Sequence, residues 1–364
     1  MPMRVLVVDD TVVFRRAVSD ALAGVPQIEV VGAAGNGRLA LSQAAALRPD
    51  LITLDIEMPE MNGIQVLEHL AASGSKAGVI MLSARTVRGG QLTMRALELG
   101  AFDFITKPDG GSAGENLALL RSQLLPMIRA FERRQEIRSI LEKAPAPRLP
   151  SPSHGPAGVV SKVERAGKRS GPPLVLIGVS TGGPAALAQL LPSLSPSLAA
   201  PVFIVQHMPP LFTEALAQSL RVKSTIGVRE ASDGETAQNG CVYLAPGGRH
   251  MKLSAGPTGA ITIRLSDDPP ENNCRPAVDY LFRSAALQFP GRSIAAVLTG
   301  MGNDGTQGLR LLKRGGCTTI AQDEASCVVF GMPKEAIQAG VVDSVLPLSQ
   351  IAAAITRLVQ EAGS

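Results

Sequence analysis

The sequence predicts an α/β protein built from two doubly wound parallel-sheet domains, and three observations carry that expectation. Short continuous runs of Val, Ile and Leu alternate with helical patterns along most of the chain. Of the 364 residues 45% are hydrophobic but only 3% aromatic, with no Trp. Such aliphatic cores suit strands buried on both faces of a parallel sheet. A Pro-rich basic segment, poor in periodic apolar residues, then divides the chain in two.

In the first half, apolar runs at residues 5–8, 51–54, 79–82 and 102–105 alternate with helical patterns, at the spacing of five β/α units. An amphipathic run over 117–141 reads as a helix leading out of this domain. Residues 142–173 hold seven prolines interleaved with Gly and Ser, which predicts an extended, flexible linker. The second half opens with strands at 174–178 and 202–205 around a helix. Short runs at 241–244, 250–253 and 261–265, joined by Gly-rich turns, predict a small antiparallel portion. Parallel units return at 295–298 and 317–321. The expected limits are 1–125 for the first domain, 126–173 for exit helix and linker, and 174–358 for the second domain.

Composition excludes several function classes. The net charge is +4, and the linker's six Lys or Arg against two Glu account for all of it. The two domains are therefore balanced, which argues against a nucleic-acid groove. No run approaches 18 apolar residues and the N-terminus carries no signal pattern, so a cytoplasmic protein without membrane insertion is expected. Cys241, Cys274, Cys317 and Cys327 lack both zinc-site spacing and disulfide density, and read as reduced, mostly packed thiols.

Two groups of residues carry chemistry. In an open α/β sheet, side chains beyond the carboxyl ends of the strands converge on one crevice. In the first domain that gathers Asp9, Asp10, Asp55, Ser83 and Lys107. Clustered carboxylates repel one another, so they bind a hard divalent cation or shift their pKa values. Mg²⁺ would suit phosphoryl transfer. Taken singly, each Asp is equally readable as a turn or helix cap.

The motifs VVDD, LDIEMPEMNG, LSA and FDFITKP, over residues 3–125, resemble the response-regulator receiver family. That resemblance implies a flavodoxin-like domain in which Asp55 accepts a phosphoryl group. It also implies Mg²⁺ on Asp10, Asp55 and the Glu57 carbonyl with support from Asp9, Lys107 paired with the phosphoryl oxygens, and Ser83 as the switch residue.

In the second domain a strand ends in Ser180-Thr181-Gly182-Gly183-Pro184, and residues 178–182 read G-x-S-x-G. That string suits a nucleophilic Ser beside backbone amides. A Gly-rich strand-to-helix turn serves equally to bind a phosphate or a dinucleotide. A nucleophilic Ser needs a base. His207 ends the neighbouring strand and is the first candidate; His250, among the antiparallel strands, is the second. Asp304, in LTGMGNDG, is the candidate acid partner, although an Asp before Gly is also an ordinary turn. The order Ser180, His207, Asp304 differs from that of α/β-hydrolases.

GVSTGGP, VQHMPPLFT, VYLAPGGRHM, RPAVDYLFRSAA and the run from LTGMGNDG to MPKEA resemble the methylesterase effector domain of bacterial chemotaxis. With the receiver in front, the whole chain resembles the chemotaxis response-regulator methylesterase (CheB) family. The resemblance implies a Rossmann-like catalytic domain with Ser180 as nucleophile, His207 as base and then acid, Asp304 as its partner, and the Met301 amide in the oxyanion hole. Substrates would be glutamate methyl esters on chemoreceptor cytoplasmic domains, with deamidation of receptor glutamines. A chemotaxis histidine kinase would supply the phosphoryl group, and ester hydrolysis would need no cofactor.

Two departures from the family pattern, Val179 and Cys274, are expected to lie clear of the triad, with Cys274 altering receptor preference. Two other readings compete. A receiver fused to a phosphate- or nucleotide-binding module would not need His207 and Asp304. A DNA-binding regulator would need a helix-turn-helix, which the second half lacks.

Overall fold

A computed structural model describes residues 2–143, 171–256 and 259–363. Most of the expected linker lies outside these residues.

The first domain runs β1 (Met3–Val8), α1 (Val12–Leu22), β2 (Ile28–Ala34), α2 (Gly37–Leu47), β3 (Leu51–Asp55), α3 (Gly63–Ala72), β4 (Gly78–Ser83), α4 (Val87–Glu98), β5 (Asp103–Thr106) and α5 (Ala113–Lys143). Its strands pair in parallel in the order β2-β1-β3-β4-β5. The chain reverses direction across the sheet at β1 and β3, so the crevice at their carboxyl ends is the natural site. The central strands are buried throughout, whereas β2 at the edge is largely half-exposed. Leu120, Leu124, Ile128 and Phe131 form the buried stripe of α5. The Phe131 ring meets Phe102 edge-on at 5.2 Å, so this helix packs on the first domain well past residue 125.

The second domain runs β6 (Leu174–Val179), α6 (Gly183–Leu190), β7 (Val202–Gln206), α7 (Phe212–Lys223), β8 (Gly227–Glu230), β9 (Cys241–Leu244), β10 (His250–Ala255), β11 (Ile261–Ser266), α8 (Val278–Gln288), β12 (Ser293–Val297), α9 (Thr306–Arg314), β13 (Thr318–Gln322), α10 (Met332–Gln338), β14 (Ser344–Leu346) and α11 (Leu348–Gly363). Seven strands form a parallel sheet in the order β14-β13-β12-β6-β7-β9-β8. The hairpin β10–β11 forms a separate antiparallel pair.

Residues 241–244 are a correction: they pair in parallel with β7 and β8 and take no part in the antiparallel portion. All four are buried, as befits a strand covered on both faces. The hairpin strands instead alternate between buried and partly exposed positions.

The domains meet through α4, β5 and α5 of the first and α6, α7 and the 324–331 segment of the second. Phe104 stacks on Phe212 with ring centroids 4.9 Å apart. Glu98 pairs with Lys223 at 2.6 Å and accepts a hydrogen bond from Ser219 at 2.8 Å. These two contacts hold Glu98 below its ordinary carboxylate value despite its partial burial.

Candidate active site

Ser180 follows β6, His207 follows β7 and Asp304 lies in the turn after β12. These three strands are adjacent in the sheet, in the order β12-β6-β7, so one crevice receives all three side chains. The Ser180 turn is fixed on both sides. Ser180 N–H donates to Thr299 O at 3.0 Å, and Gln206 Nε2 and Gly183 N–H donate to Ser180 O at 3.0 and 2.7 Å. Two glycines make the approach possible. Gly182 sits at φ 74°, and a Cβ on Gly300 would come within 2.8 Å of Ser180 Cβ.

Asp304 is buried and holds its partners through both oxygens. Oδ2 accepts from His207 Nε2 at 2.8 Å and Val278 N–H at 2.7 Å. Oδ1 accepts from Asp279 N–H, Gly305 N–H and Asn272 Nδ2, each at 2.9 Å. Val278 and Asp279 begin α8, so the carboxylate also lies at the positive end of a helix. Burial opposes ionisation, but the His207 contact and the amides outweigh it and hold Asp304 below its ordinary value.

The same contact acts on His207. Burial would lower its pKa, but hydrogen bonds to Asp304 and then Cys274 push it up to about 9. With Nε2–H committed to Asp304, the lone pair of a neutral ring sits on Nδ1. Ser180 and His207 line one cavity of about 270 Å³ with Met301. Among the described residues no hydrogen bond joins Ser180 to His207, and none engages the Met301 N–H. Catalytic contacts often tighten only once substrate is bound.

His250 takes no part in this site. Its ring is fully buried and stacked on Tyr280, accepts at Nδ1 from Ala277 N–H at 3.2 Å and reaches Pro269 O through Nε2 at 3.1 Å. Both nitrogens are used in packing, and the second candidate base is thereby set aside.

The other cluster assembles around Lys107, whose Nζ lies 2.6 Å from Asp9 Oδ2 and 2.8 Å from Asp55 Oδ2. Carboxylate oxygens of Asp9, Asp10 and Asp55 lie within 4.8 Å of one another. Beyond Lys107, the inner oxygens of Asp9 and Asp55 have no donor among the described residues. Three converging oxygen donors of this kind fit a hard cation such as Mg²⁺. Burial pushes Asp55 up to about 6 against the pull of Lys107. Ser83 is buried and turned toward α4, bonded to Thr93 Oγ1 at 2.8 Å and Gly89 O at 3.3 Å. The Glu57 side chain points instead toward Arg88 at 3.8 Å.

Against known proteins, residues 175–355 match the family described as CheB methylesterase, and residues 5–113 match the response regulator receiver domain. A protein-glutamate methylesterase/protein-glutamine glutaminase of Desulfotalea psychrophila is 48% identical over 98% of this chain and 99% of its own. One of the same name from Bacillus subtilis is 42% identical over 99% of each. The chain belongs to the CheB methylesterase family. The crystal structure of the Thermotoga maritima CheB methylesterase catalytic domain overlays with a TM-score of 0.51 at 44% identity, covering 52% of this chain and all of that one.

In this CheB-family chain the receiver domain roofs the catalytic cavity. Asp103, Phe104, Ile105 and Thr106 of β5 and Ser122, Gln123, Pro126 and Met127 of α5 line it opposite Ser180 and His207. Asp103 reaches furthest. Its buried carboxylate accepts from the Gly182 N–H and the Thr181 hydroxyl, beside the nucleophile. Burial pushes it up to about 7, against the lowering effect of the Phe104 and Gly182 amides and Thr181.

Three residues at the site escape sequence reading. Asp103 gives no local signal, since its partners belong to the other domain. Asn272 bridges Asp304 and Asp279, the second at 3.0 Å. Cys274 is a correction: it lies beside His207 and Asp304, because the turn from Glu271 to Cys274 folds over the crevice. The left-handed backbone of Asn272 and Asn273 in that turn was the readable hint.

Among the described residues, no helix is long and apolar enough to cross a membrane.

Proposed function

We propose that this chain hydrolyses γ-glutamyl methyl esters on the cytoplasmic domains of chemoreceptors, releasing methanol, and converts receptor glutamines to glutamate, under control of receiver phosphorylation. The single observation that supports it most is the His207–Asp304 pair facing the Ser180 cavity on a chain whose relatives match along its whole length.

Ser180 Oγ attacks the ester carbonyl and its proton passes to His207 Nδ1. Asp304 holds the imidazolium through Nε2–H. The Met301 N–H stabilises the oxyanion as it develops. Collapse of the tetrahedral adduct breaks the C–O bond, and His207 Nδ1–H protonates departing methanol. Water, deprotonated by the same nitrogen, then cleaves the acyl-enzyme and leaves the glutamate carboxylate and a free Ser180. With a glutamine substrate the first leaving group is ammonia.

Phosphorylation of Asp55 by a chemotaxis histidine kinase would draw Ser83 from α4 and loosen α4 from α7, opening the cleft. Asp10, Asp55 and the Glu57 carbonyl, with Asp9, would hold Mg²⁺, which neutralises charge on the transferring phosphoryl group. Lys107 would pair with the phosphoryl oxygens in place of the carboxylates it now bridges. The protein would act in the cytoplasm, with 1–125 and 174–358 as working domain limits joined by 126–173.

Methanol release from methylated receptor membranes tests this reading, run with and without a small-molecule phosphodonor and Mg²⁺. Release that rises with the donor and disappears in Ser180→Ala supports it. No release from several receptors despite confirmed Asp55 phosphorylation would turn the second domain into a binding module.

A further inference from the structure

The turn that carries Cys274 brings a soft donor to the catalytic pair. Cys274 Sγ, a His207 ring nitrogen and an Asp304 oxygen all lie within 4.8 Å of one another. Around a tetrahedral Zn²⁺, with Zn–S near 2.3 Å and Zn–N or Zn–O near 2.0–2.1 Å, donors stand about 3.3–3.6 Å apart. The three atoms therefore need to close by little more than about 1 Å to surround one ion.

Their supports are already built. The backbones of Glu271 and Cys274 bond reciprocally at 3.1 and 2.9 Å, and Arg283 clamps the Glu271 carboxylate at 2.6 and 2.7 Å. Asp304 Oδ1 is held by Asn272, Asp279 and Gly305, and Oδ2 keeps the Val278 amide if the His207 proton is displaced. Such outer partners orient metal ligands. The His207 side chain retains 11% exposure and Cys274 is half-buried, which leaves a path from solvent and room for a water in a fourth position.

We propose that His207, Cys274 and Asp304 form a binding site for a thiophilic divalent cation of the Zn²⁺ class, and that its binding switches the hydrolase off. The inhibitory half rests on the functional reading above. The Cys274 thiol proton leaves to solvent, the thiolate and a neutral His207 nitrogen bind the ion, and the Nε2–H···Oδ2 bond to Asp304 gives way to an oxygen–metal bond. His207 then has no free base function. Thiolate and imidazole select a softer ion than the all-oxygen cluster of Asp9, Asp10 and Asp55, so the chain carries two cation sites of different hardness.

Cd²⁺ is the probe, because its thiolate charge-transfer absorption reports on binding without any turnover. Titrated into the full chain, it is expected to saturate at one ion per chain and to be reversed by a chelator. Cys327, half-buried near Asp323 and Glu324, is the competing thiol. The band should persist in Cys327→Ser and weaken by about tenfold or more in both Cys274→Ser and His207→Gln. Methanol release by the wild type should fall in step with the band. A band unchanged in Cys274→Ser, or lost in Cys327→Ser, overturns the site, and a band unchanged in His207→Gln reduces it to a lone thiol and overturns it as well. The expected band behaviour in a protein that hydrolyses no receptor ester leaves the metal site standing and sinks the esterase reading. Hydrolysis unaffected by saturating Cd²⁺ sinks the inhibitory half.

Discussion

The Asp103 carboxylate of the receiver accepts a hydrogen bond from the Gly182 amide, two residues beyond the nucleophile Ser180. A carboxylate is also what the proposed reaction produces in this cleft. The receiver therefore places a product-like group against the turn that carries the nucleophile, in addition to covering it.

Replacing Asp103 by Ala should raise the hydrolysis rate of unphosphorylated protein about tenfold, corresponding to one lost charge-assisted hydrogen bond of ~1.5 kcal/mol in the closed form. The rate of phosphorylated protein should stay as it is. Equal rates for variant and wild type before phosphorylation would remove Asp103 from the inhibitory contact.

Closure itself should depend on pH through the same group. Asp103 is raised to about 7 when buried and returns toward the ordinary carboxylate value once the domains part. The closed form thus binds the extra proton: its advantage is fully present below about pH 4 and is lost as pH rises to about 7. Interdomain distance measured by energy transfer in Ser180→Ala should increase over that window, and the dependence should flatten in Asp103→Asn.

His207 sets the opposite end of the pH range. It acts as base only when neutral, and Asp304 and Cys274 raise its pKa. kcat/KM should therefore climb with pH well beyond the ordinary histidine range near 6.5. In Cys274→Ser the midpoint should move downward, because one of the two raising contacts is gone. A midpoint that moves upward, or not at all, means that Cys274 does not act on the ring.

Ser180→Ala and Asp304→Asn should both lower methanol release by about 10³-fold or more, and thermal melts should separate them. The serine hydroxyl makes no hydrogen bond among the described residues. Asp304 satisfies three backbone amides, so Asp304→Asn should also cost about 1–3 kcal/mol of stability.

Ser83 is bonded into α4 through Thr93 and Gly89. Ser83→Ala should still be phosphorylated at Asp55, but its activation ratio should fall by about fivefold or more, the lower end of ordinary allosteric coupling. Full activation would place the coupling elsewhere.

How far the sequence was legible follows from where each signal resides. Ser180, His207 and Asp304 end strands that a parallel sheet sets side by side, so continuous apolar runs and strand-end chemistry sufficed. Residues 241–244 were misassigned to the hairpin because flanking glycines were weighed above the unbroken apolar run, which already indicated burial on both faces. The edge strands β2, β8 and β14 escaped because partly exposed edges carry little apolar signal. Asn272 and Cys274 become site residues only after a left-handed turn folds them over the crevice. Asp103 becomes one only after two domains dock. Pattern reading along one element sees neither event.

Because Asp103 and Gly182 belong to one chain, their contact is intramolecular, and dilution cannot reverse it. An external segment offering the same carboxylate must compete with a tethered rival whose effective concentration is of millimolar order. Receptor density, rather than affinity for any single receptor tail, then determines when a waiting substrate can displace it.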